Sequence, residues 1–475
     1  MRETSRLVAA LPGARVTGSL PPAIDAIASD SRKVEPGTLF VALRGERDDG
    51  HDFVRHAFAR GAVAVVVERE VDFEGPAIVV PDTRAAASKL AAAFYDYPAR
   101  DLIVAGVTGT NGKTTTTHLV RAALDAAGIP CAVIGTLGGA FGERRWPLAN
   151  TTPLALELQA LLAAQRDAGA KAVAMEVSSH ALALGRVEDI AFDVAALTNI
   201  TRDHLDFHGT MERYVAAKRH LFALAPLQVL NVDDPAGAAF AAELSGAVTY
   251  AIDAPAALRA TSVRLDGDGS RFRVGDAELA INLPGRFNVR NALAALGIAT
   301  RVGASLADVR RGFAAMRAVP GRMERIGAFG IDAIVDYAHT PDALENVLRA
   351  VRETAKRRLI VVFGCGGDRD PGKREEMGAI AKRLADRVIV TSDNPRGEDP
   401  LAIAHAVANG FAVEIELDRR SAIRRAIDEA QPGDVVVVAG KGHEAYQIVG
   451  GVTHPFDDRD EVRNAFAKRA EAVRR

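Results

Sequence analysis

Residues 102–115 read Leu-Ile-Val-Ala-Gly-Val-Thr-Gly-Thr-Asn-Gly-Lys-Thr-Thr. The apolar run over 102–107 predicts a buried strand. A glycine-rich turn follows it, then a helix over 114–127, with Gly128 just past the helix end. Strand, glycine-rich turn and helix N-terminus together form an anion site. Free backbone N–H groups and the positive end of the helix dipole converge there. Gly109, Thr110, Asn111, Gly112, Lys113, Thr114 and Thr115 are therefore candidate nucleotide-binding residues. Lys113 can neutralise β/γ-phosphate oxygens, and the Thr114 hydroxyl can bind Mg2+. The stretch departs from a strict G-x-x-x-x-G-K-[ST] pattern. Val107 stands where the first glycine is required, and the nearby glycines are Gly106 and Gly109. A buried strand running into Gly-Lys-Thr-Thr carries the reading instead.

The same arrangement recurs along the chain. Apolar runs over 62–68, 172–177, 194–198, 359–363, 387–391 and 434–439 are each followed by a glycine-rich or polar turn and a helical stretch. Continuous apolar runs mark strands buried on both faces. Strand alternating with helix predicts an α/β fold with mostly parallel sheets. A helix over 83–97 ends before Pro98, and Pro320-Gly321 stops another. These breaks predict three domains, over residues 1–98, 99–318 and 319–475. A length of 475 residues agrees with that, at roughly 150 residues per domain.

Composition narrows the function classes. Lys and Arg number 59 against 61 Asp and Glu, a formal net charge of −2. Nucleic-acid binders usually carry a basic excess, so no nucleic-acid partner is expected. Cys131 and Cys365 cannot make a disulfide framework, which points to a reducing compartment. The first residues contain no long apolar stretch, and no run approaches the roughly 18 residues of a membrane span. A cytoplasmic protein with no membrane partner is expected.

Chemistry-bearing residues gather at the predicted strand ends. Glu176 closes the run 172–177, ahead of Ser178-Ser179-His180. A carboxylate there, beside a phosphate loop, can hold Mg2+ or its water, although taken alone it is more often a solvated or paired side chain. The run 194–198 leads to Asn199-Ile-Thr-Arg-Asp-His-Leu-Asp-Phe-His208. His204 and His208 suggest zinc by spacing, but no Cys or third His supports it, and hard Mg2+ prefers oxygen. The next helix, over 210–224, contains Lys218. A helix lysine is ordinarily a solvated surface residue.

The motifs in this order resemble the Mur ligase family, the ATP-dependent amide-forming ligases of peptidoglycan precursor synthesis. The likeness rests on residues 109–115, Glu176-Val-Ser-Ser-His180, Asn199-Ile-Thr-Arg-Asp-His-Leu-Asp206, Ala217-Lys218, Gly285-Arg-Phe-Asn-Val-Arg-Asn291, Pro320-Gly-Arg-Met-Glu324, Asp336-Tyr-Ala-His-Thr-Pro-Asp342 and Asp393-Asn-Pro-Arg396. The resemblance implies a UDP-sugar-binding N-terminal α/β domain, a central P-loop ATPase domain and a C-terminal Rossmann-like amino-acid domain. It implies ATP as co-substrate and Mg2+ as cofactor, with Thr114, Glu176, His204 and Lys218 serving the metal. Lys113, Lys218, His204 and Glu176 are the implied catalytic set. Lys218 resembles the family's carbamylated lysine (N6-carboxylysine), which replaces a cation with a carboxylate-like anion. Asn288 and Asn291 resemble adenine-side residues, and Arg322, Asp336 and His339 resemble contacts from the C-terminal domain to ATP.

Ser31, residues 45–51, Asn150, Thr151, Thr152, Ser178 and Arg186 resemble segments that bind the UDP-muramoyl peptide. The family often carries Gln where Leu184 stands. For the added amino acid, Arg369, Asp393, Asn394, Pro395, Arg396, Gly440 and Glu444 resemble a pocket for meso-2,6-diaminopimelate. Arginines there suit its distal carboxylate, and Asp393 and Glu444 suit its distal ammonium. Lysine would leave a guanidinium unpaired, at a cost of roughly 2–5 kcal/mol. The expected activity is ATP-dependent addition of meso-diaminopimelate to UDP-N-acetylmuramoyl-L-alanyl-D-glutamate through an acyl phosphate, by a monomer. His204, His180 and Asp336 stand open as the group that deprotonates the attacking amine. A P-loop switch or phosphotransferase is the rival reading from another class.

Overall fold

In the computed structural model the apolar run after residue 101 forms the strand Ile103–Thr108, and the helix Lys113–Ala126 follows the glycine turn. The structure describes residues 1–45, 48–69 and 73–474. The chain divides into two compact units. One comprises Met1–Thr108, Gly128–Ala196 and Ala217–Gln228; the other comprises Gly109–Ala127, Leu197–Ala216 and Val229–Arg475. None of the described helices is long and apolar enough to cross a membrane.

The first unit contains a five-stranded sheet in the order Arg15–Thr17, Ala77–Val79, Ala62–Val67, Thr38–Val41, Ala26–Ala28. All neighbours are parallel except the Arg15–Thr17 edge. Side chains alternate across it. Leu39, Val41, Ala64, Val66 and Ile78 pack with Leu90 and Ala91, while Phe40, Val65 and Val67 pack with Val54 and Ala57 on the other face. Burial on both faces is why these strands read as unbroken apolar runs. Asp82 caps the helix Thr83–Phe94 by accepting from the N–H groups of Arg84 and Ala85. That helix stops short of the expected residue 97. Asp96 and Tyr97 take positive φ of 59° and 51°, and the ring of Pro98 bars Tyr97 from helical geometry.

The same unit carries Cys131–Gly135, Ala172–Glu176 and Ile103–Thr108 as adjacent parallel strands. An antiparallel hairpin, Gly138–Phe141 with Arg144–Trp146, extends them beyond Cys131–Gly135. The strand Val194–Leu197 is buried along its length.

In the second unit the helix Lys113–Ala126 packs against Arg286–Arg301 and Leu306–Ala315. The last approach is close. A Cβ on Gly312 would sit 2.2 Å from the Ala122 carbonyl oxygen. The parallel strands Leu227–Asn231, Val248–Ala251 and Leu258–Leu265 continue into an antiparallel meander, Ser270–Val274 and Ala277–Ile281. A six-stranded sheet follows, in the order Glu324–Ala328, Ile331–Asp336, Val435–Ala439, Leu359–Phe363, Arg387–Val390, Glu414–Ile415. Only its first strand is antiparallel. Val361, Phe363, Val390 and Val437 face the helices Pro341–Thr354, Lys373–Leu384 and Pro400–Ala408; Ile360, Val362, Ile389 and Val436 face Arg419–Glu429 and Asp458–Arg474. Helices cover both faces, so ligand-bearing loops are left at the C-terminal strand ends.

Candidate active site

The glycines of the phosphate loop are required by their surroundings. Gly109 has φ +146° and Gly112 has φ +88°. A Cβ on Gly109 would lie 1.9 Å from Thr198 Oγ1, and one on Gly112 would lie 2.3 Å from Asn291 Oδ1. Gly112, in left-handed geometry, starts the helix. The remaining loop residues are pinned individually. Thr110 Oγ1 lies 2.9 Å from the Tyr214 hydroxyl and donates to the Thr201 carbonyl. The Asn111 backbone N–H donates to Asn199 Oδ1, and its amide nitrogen donates to Asp342 Oδ2 at 2.8 Å. Lys113 Nζ donates to the carbonyls of Gly109 and Thr110, both at 2.8 Å, which folds the ammonium back over the loop. Thr115 is buried.

Asn288 and Asn291 lie buried on the helix Arg286–Arg301, under Gly112. The Asn291 amide nitrogen donates to Asn288 Oδ1 at 3.1 Å, and that of Asn288 donates to the Pro284 carbonyl. Arg322 Nη2 donates to Thr114 Oγ1 at 3.0 Å, and its Cζ stands 4.6 Å over the Tyr337 ring. Arg322 Nε is buried with no hydrogen-bond partner among the described residues. Asp336 accepts from the Met323 N–H at 2.7 Å; burial pushes its carboxyl up, against the pull of Arg322.

Asp203 and Lys373 were not among the candidates from sequence. Burial raises the Asp203 carboxyl, but the charges of His204, His339, Lys373 and Lys113 hold it below its ordinary value. His204 has φ +56°, its N–H donates to Asp203 Oδ1, and its Nε2 lies 3.3 Å from Asp203 Oδ2. Burial and the Lys373 charge lower His339 to about 4, and its Nδ1 lies 2.7 Å from the Tyr337 carbonyl, so the neutral ring carries its proton on Nδ1. Asp203 sits inside the quoted stretch 199–206, but nothing local to it announces its partners.

The loops after Leu359–Phe363, Arg387–Val390 and Val435–Ala439 build a polar pocket. Asn394 Nδ2 donates to Glu444 Oε2 at 2.9 Å, and Asn394 Oδ1 accepts from the Ile448 N–H. Lys441, also missed from sequence, is fully buried and donates to Asp393, Asn394 and Glu444. Asp393 and Glu444 thus hold an ammonium of the protein itself. Gly440 has φ +118°, and a Cβ there would come within 3.0 Å of Asp393 Oδ2. A Cβ on Gly367 would lie 2.0 Å from the Pro395 carbonyl oxygen. Arg396 Nη1 donates to the Gly367 carbonyl at 2.7 Å. Arg369 is exposed and donates to the Asp368 carbonyl. The Tyr337 hydroxyl donates to Glu444 Oε1 at 3.4 Å.

In the first unit Glu176 is 1% exposed, and its carboxylate accepts from the Thr136 N–H and hydroxyl at 2.8 and 3.1 Å. Thr136 Oγ1 lies 3.1 Å from Thr151 Oγ1. Thr152 Oγ1 donates to the Glu176 carbonyl and accepts from the Ser178 N–H. Arg186 Nη1 donates to the Thr152 carbonyl, and its buried Nε has no partner among the described residues. Thr151, Thr152, Ser178 and Arg186 thus gather at the end of one strand. Asn150 is exposed beside them. Ser31 instead pairs with His56 Nδ1 at 3.1 Å. Of the stretch 45–51, Glu46 and Arg47 lie outside the described residues. Lys218 is 1% exposed, against the surface position usual for a helix lysine.

Family profiles match in chain order: "Mur ligase family, catalytic domain" over residues 23–95, "Mur ligase middle domain" over 107–299, and "Mur ligase, glutamate ligase domain" over 321–442. The UDP-N-acetylmuramoyl-L-alanyl-D-glutamate–2,6-diaminopimelate ligase of Syntrophomonas wolfei is 47% identical over 462 residues, 93% of this chain and 94% of the relative. The protein of the same name from Geobacillus kaustophilus is 45% identical and covers 98% of this chain and 99% of its own. A solved structure of a ligase of that name has 35% identity and a TM-score of 0.67, covering 96% of this chain and 97% of the other. The chain belongs to the Mur ligase family.

Proposed function

We propose that this protein joins meso-2,6-diaminopimelate to UDP-N-acetylmuramoyl-L-alanyl-D-glutamate at the expense of ATP, in peptidoglycan precursor synthesis. The observation that carries this is likeness over nearly the whole chain to proteins named for that ligation. The domain limits we adopt are 1–98, 99–318 and 319–475, with the protein acting as a cytoplasmic monomer.

ATP's phosphates lie on the Gly109–Thr115 loop, where Lys113 and the helix N-terminus offset their charge. Asn288 and Asn291 serve the adenine side. Arg322, with a buried Nε that has no hydrogen-bond partner among the described residues, suits an anionic ligand. The γ-phosphoryl passes to the free carboxylate of the D-glutamyl residue, giving an acyl phosphate. The diaminopimelate amine attacks its carbonyl carbon, and phosphate leaves. Arg186, whose Nε is similarly buried with no partner among the described residues, suits the anionic muramoyl peptide alongside Ser31, Asn150, Thr151, Thr152 and Ser178.

The donor chemistry suits Mg2+: the Thr114 hydroxyl, the Glu176 carboxylate, the His204 imidazole and a carbamate on Lys218. Among the described residues no group of three or more His, Cys, Asp or Glu side chains is assembled for a metal. Mg2+ needs no such cage, being ordinarily held by one or two carboxylates and the substrate's own phosphates. When bound, it supplies positive charge to the phosphate oxygens.

Phosphate release measured with UDP-N-acetylmuramoyl-L-alanyl-D-glutamate and each candidate amine tests the proposal. Release is expected with meso-diaminopimelate. Turnover with lysine alone would refute the specificity, and release without any amine would refute ligation.

A further inference from the structure

The amino-acid pocket contains a cation that the proposed reaction does not use. Lys441 has 0% side-chain exposure. Its Nζ donates to Asn394 Oδ1 at 3.0 Å, Glu444 Oε2 at 3.3 Å and Asp393 Oδ1 at 3.4 Å. An ammonium has three donors, and three acceptors take them. A buried ammonium persists only when compensated this fully.

Two consequences follow from the arrangement. The first concerns orientation. Asn394 Oδ1 accepts from both Lys441 and the Ile448 N–H, so its amide nitrogen must turn to Glu444. Lys441 therefore sets the Asn394 amide. The second concerns charge. Of the buried and half-buried groups there, Asp393 and Glu444 contribute two negative charges and Lys441 and Arg396 two positive ones; Arg369 is exposed and turned onto the Asp368 carbonyl. The formal sum is zero. A zwitterionic group enters such a pocket without net change, whereas a bare ammonium arrives uncompensated. Without Lys441 the sum becomes negative by one, and the preference should move toward the bare ammonium.

We propose that Lys441 is a positioning residue that determines amino-acid specificity: its buried ammonium, held by Asp393, Asn394 and Glu444, makes the pocket select a zwitterionic side-chain end over an ammonium alone. This inference rests on the ligase reading above.

The test compares kcat/KM for meso-diaminopimelate and L-lysine in the full-length enzyme and in Lys441→Met. The ratio of the two should fall by about tenfold or more, while KM for ATP stays within about twofold. The double variant Lys441→Met/Asp393→Asn, which removes one charge of each sign, should recover much of the ratio. An unchanged ratio in Lys441→Met would overturn the proposal, as would a double variant no more selective than the single one. Where Lys441→Met does not fold, Lys441→Gln takes its place and the same ratio decides: a fall of about tenfold supports the proposal, and an unchanged ratio overturns it. A wild-type enzyme that ligates neither amine would instead refute the ligase reading, so the two failures are distinguishable.

Discussion

Arg322 donates to the hydroxyl of Thr114 at 3.0 Å, so a side chain from the Pro320–Glu324 stretch reaches the first turn of the phosphate-loop helix. The same guanidinium stacks on Tyr337, whose hydroxyl reaches Glu444 in the polar pocket at the strand ends. Charged hydrogen bonds of this kind contribute about 1.5–3 kcal/mol. Arg322→Ala should therefore raise KM for ATP by roughly 10- to 100-fold. Arg322→Lys should recover only part, because an ammonium lacks the planar fork that bonds and stacks at once. Steady-state kinetics at saturating amine checks this, and full recovery in the lysine variant would contradict it.

Gly112 faces Asn291 so closely that no side chain fits, and its φ of +88° disfavours one independently. Gly112→Ala should lower stability by about 1–3 kcal/mol and abolish tight nucleotide binding. Part of that cost is the clash with Asn291. Combining it with Asn291→Ala should therefore destabilise less than the sum of the two single changes. Urea unfolding of all four proteins measures the difference; strict additivity would show that backbone conformation alone is responsible.

The phosphate loop and the parallel strands were legible because both are local. A continuous apolar run such as Leu359–Phe363 records burial on two faces. The meander Ser270–Val274 and Ala277–Ile281 was not read. Arg271 and Arg273 alternate with buried Ser270 and Phe272, leaving no apolar run to see. The roles of Asp203 and Lys441 were hidden for a different reason. Each depends on partners brought from distant strand ends, Lys373 and His339 for the first and Asp393 and Asn394 for the second. Lys218 shows the same limit: helical spacing does not say which face a fold buries.

Lys218 is 1% exposed at the end of the helix Met211–Arg219. The proposed carbamate there is an anion, so Lys218→Ala should lose activity by about 10–100-fold or more, as expected for loss of a group proposed to support the metal. A small added carboxylic acid should restore part of it. Mass spectrometry of the intact enzyme under bicarbonate supplies a second readout. Full activity in the unrescued variant would refute the carbamate.

His339 should remain neutral in the folded protein well below its ordinary pKa of 6.5, titrating only near 4. Its Nδ1–H is engaged by the Tyr337 carbonyl, and Lys373 and Arg322 oppose a further positive charge. The unfolded chain takes up a proton here between those two values that the folded chain refuses. Stability from this group is therefore present above about pH 6.5 and lost as pH falls toward 4. Ring 15N chemical shifts should report the Nδ1–H tautomer at pH 6. An imidazolium signal at that pH would contradict the assignment.

Arg419 and Asp458 are both fully buried and pair through two contacts of 2.7 Å, while Arg419 Nη2 also donates to the Ala439 carbonyl, one residue before Gly440. Removing the arginine alone strands a carboxylate in the core. Arg419→Ala should cost about 3–5 kcal/mol. Replacing both partners with apolar residues of similar size, as in Arg419→Met/Asp458→Leu, should restore most of that stability, because the penalty comes from the unpaired charge. The bond to Ala439 is absent from the double variant, so its amino-acid pocket should still be impaired. Chemical denaturation gives the first result and KM for meso-diaminopimelate the second. A double variant as unstable as Arg419→Ala would show that packing around the arginine, and not the buried charge, sets the cost.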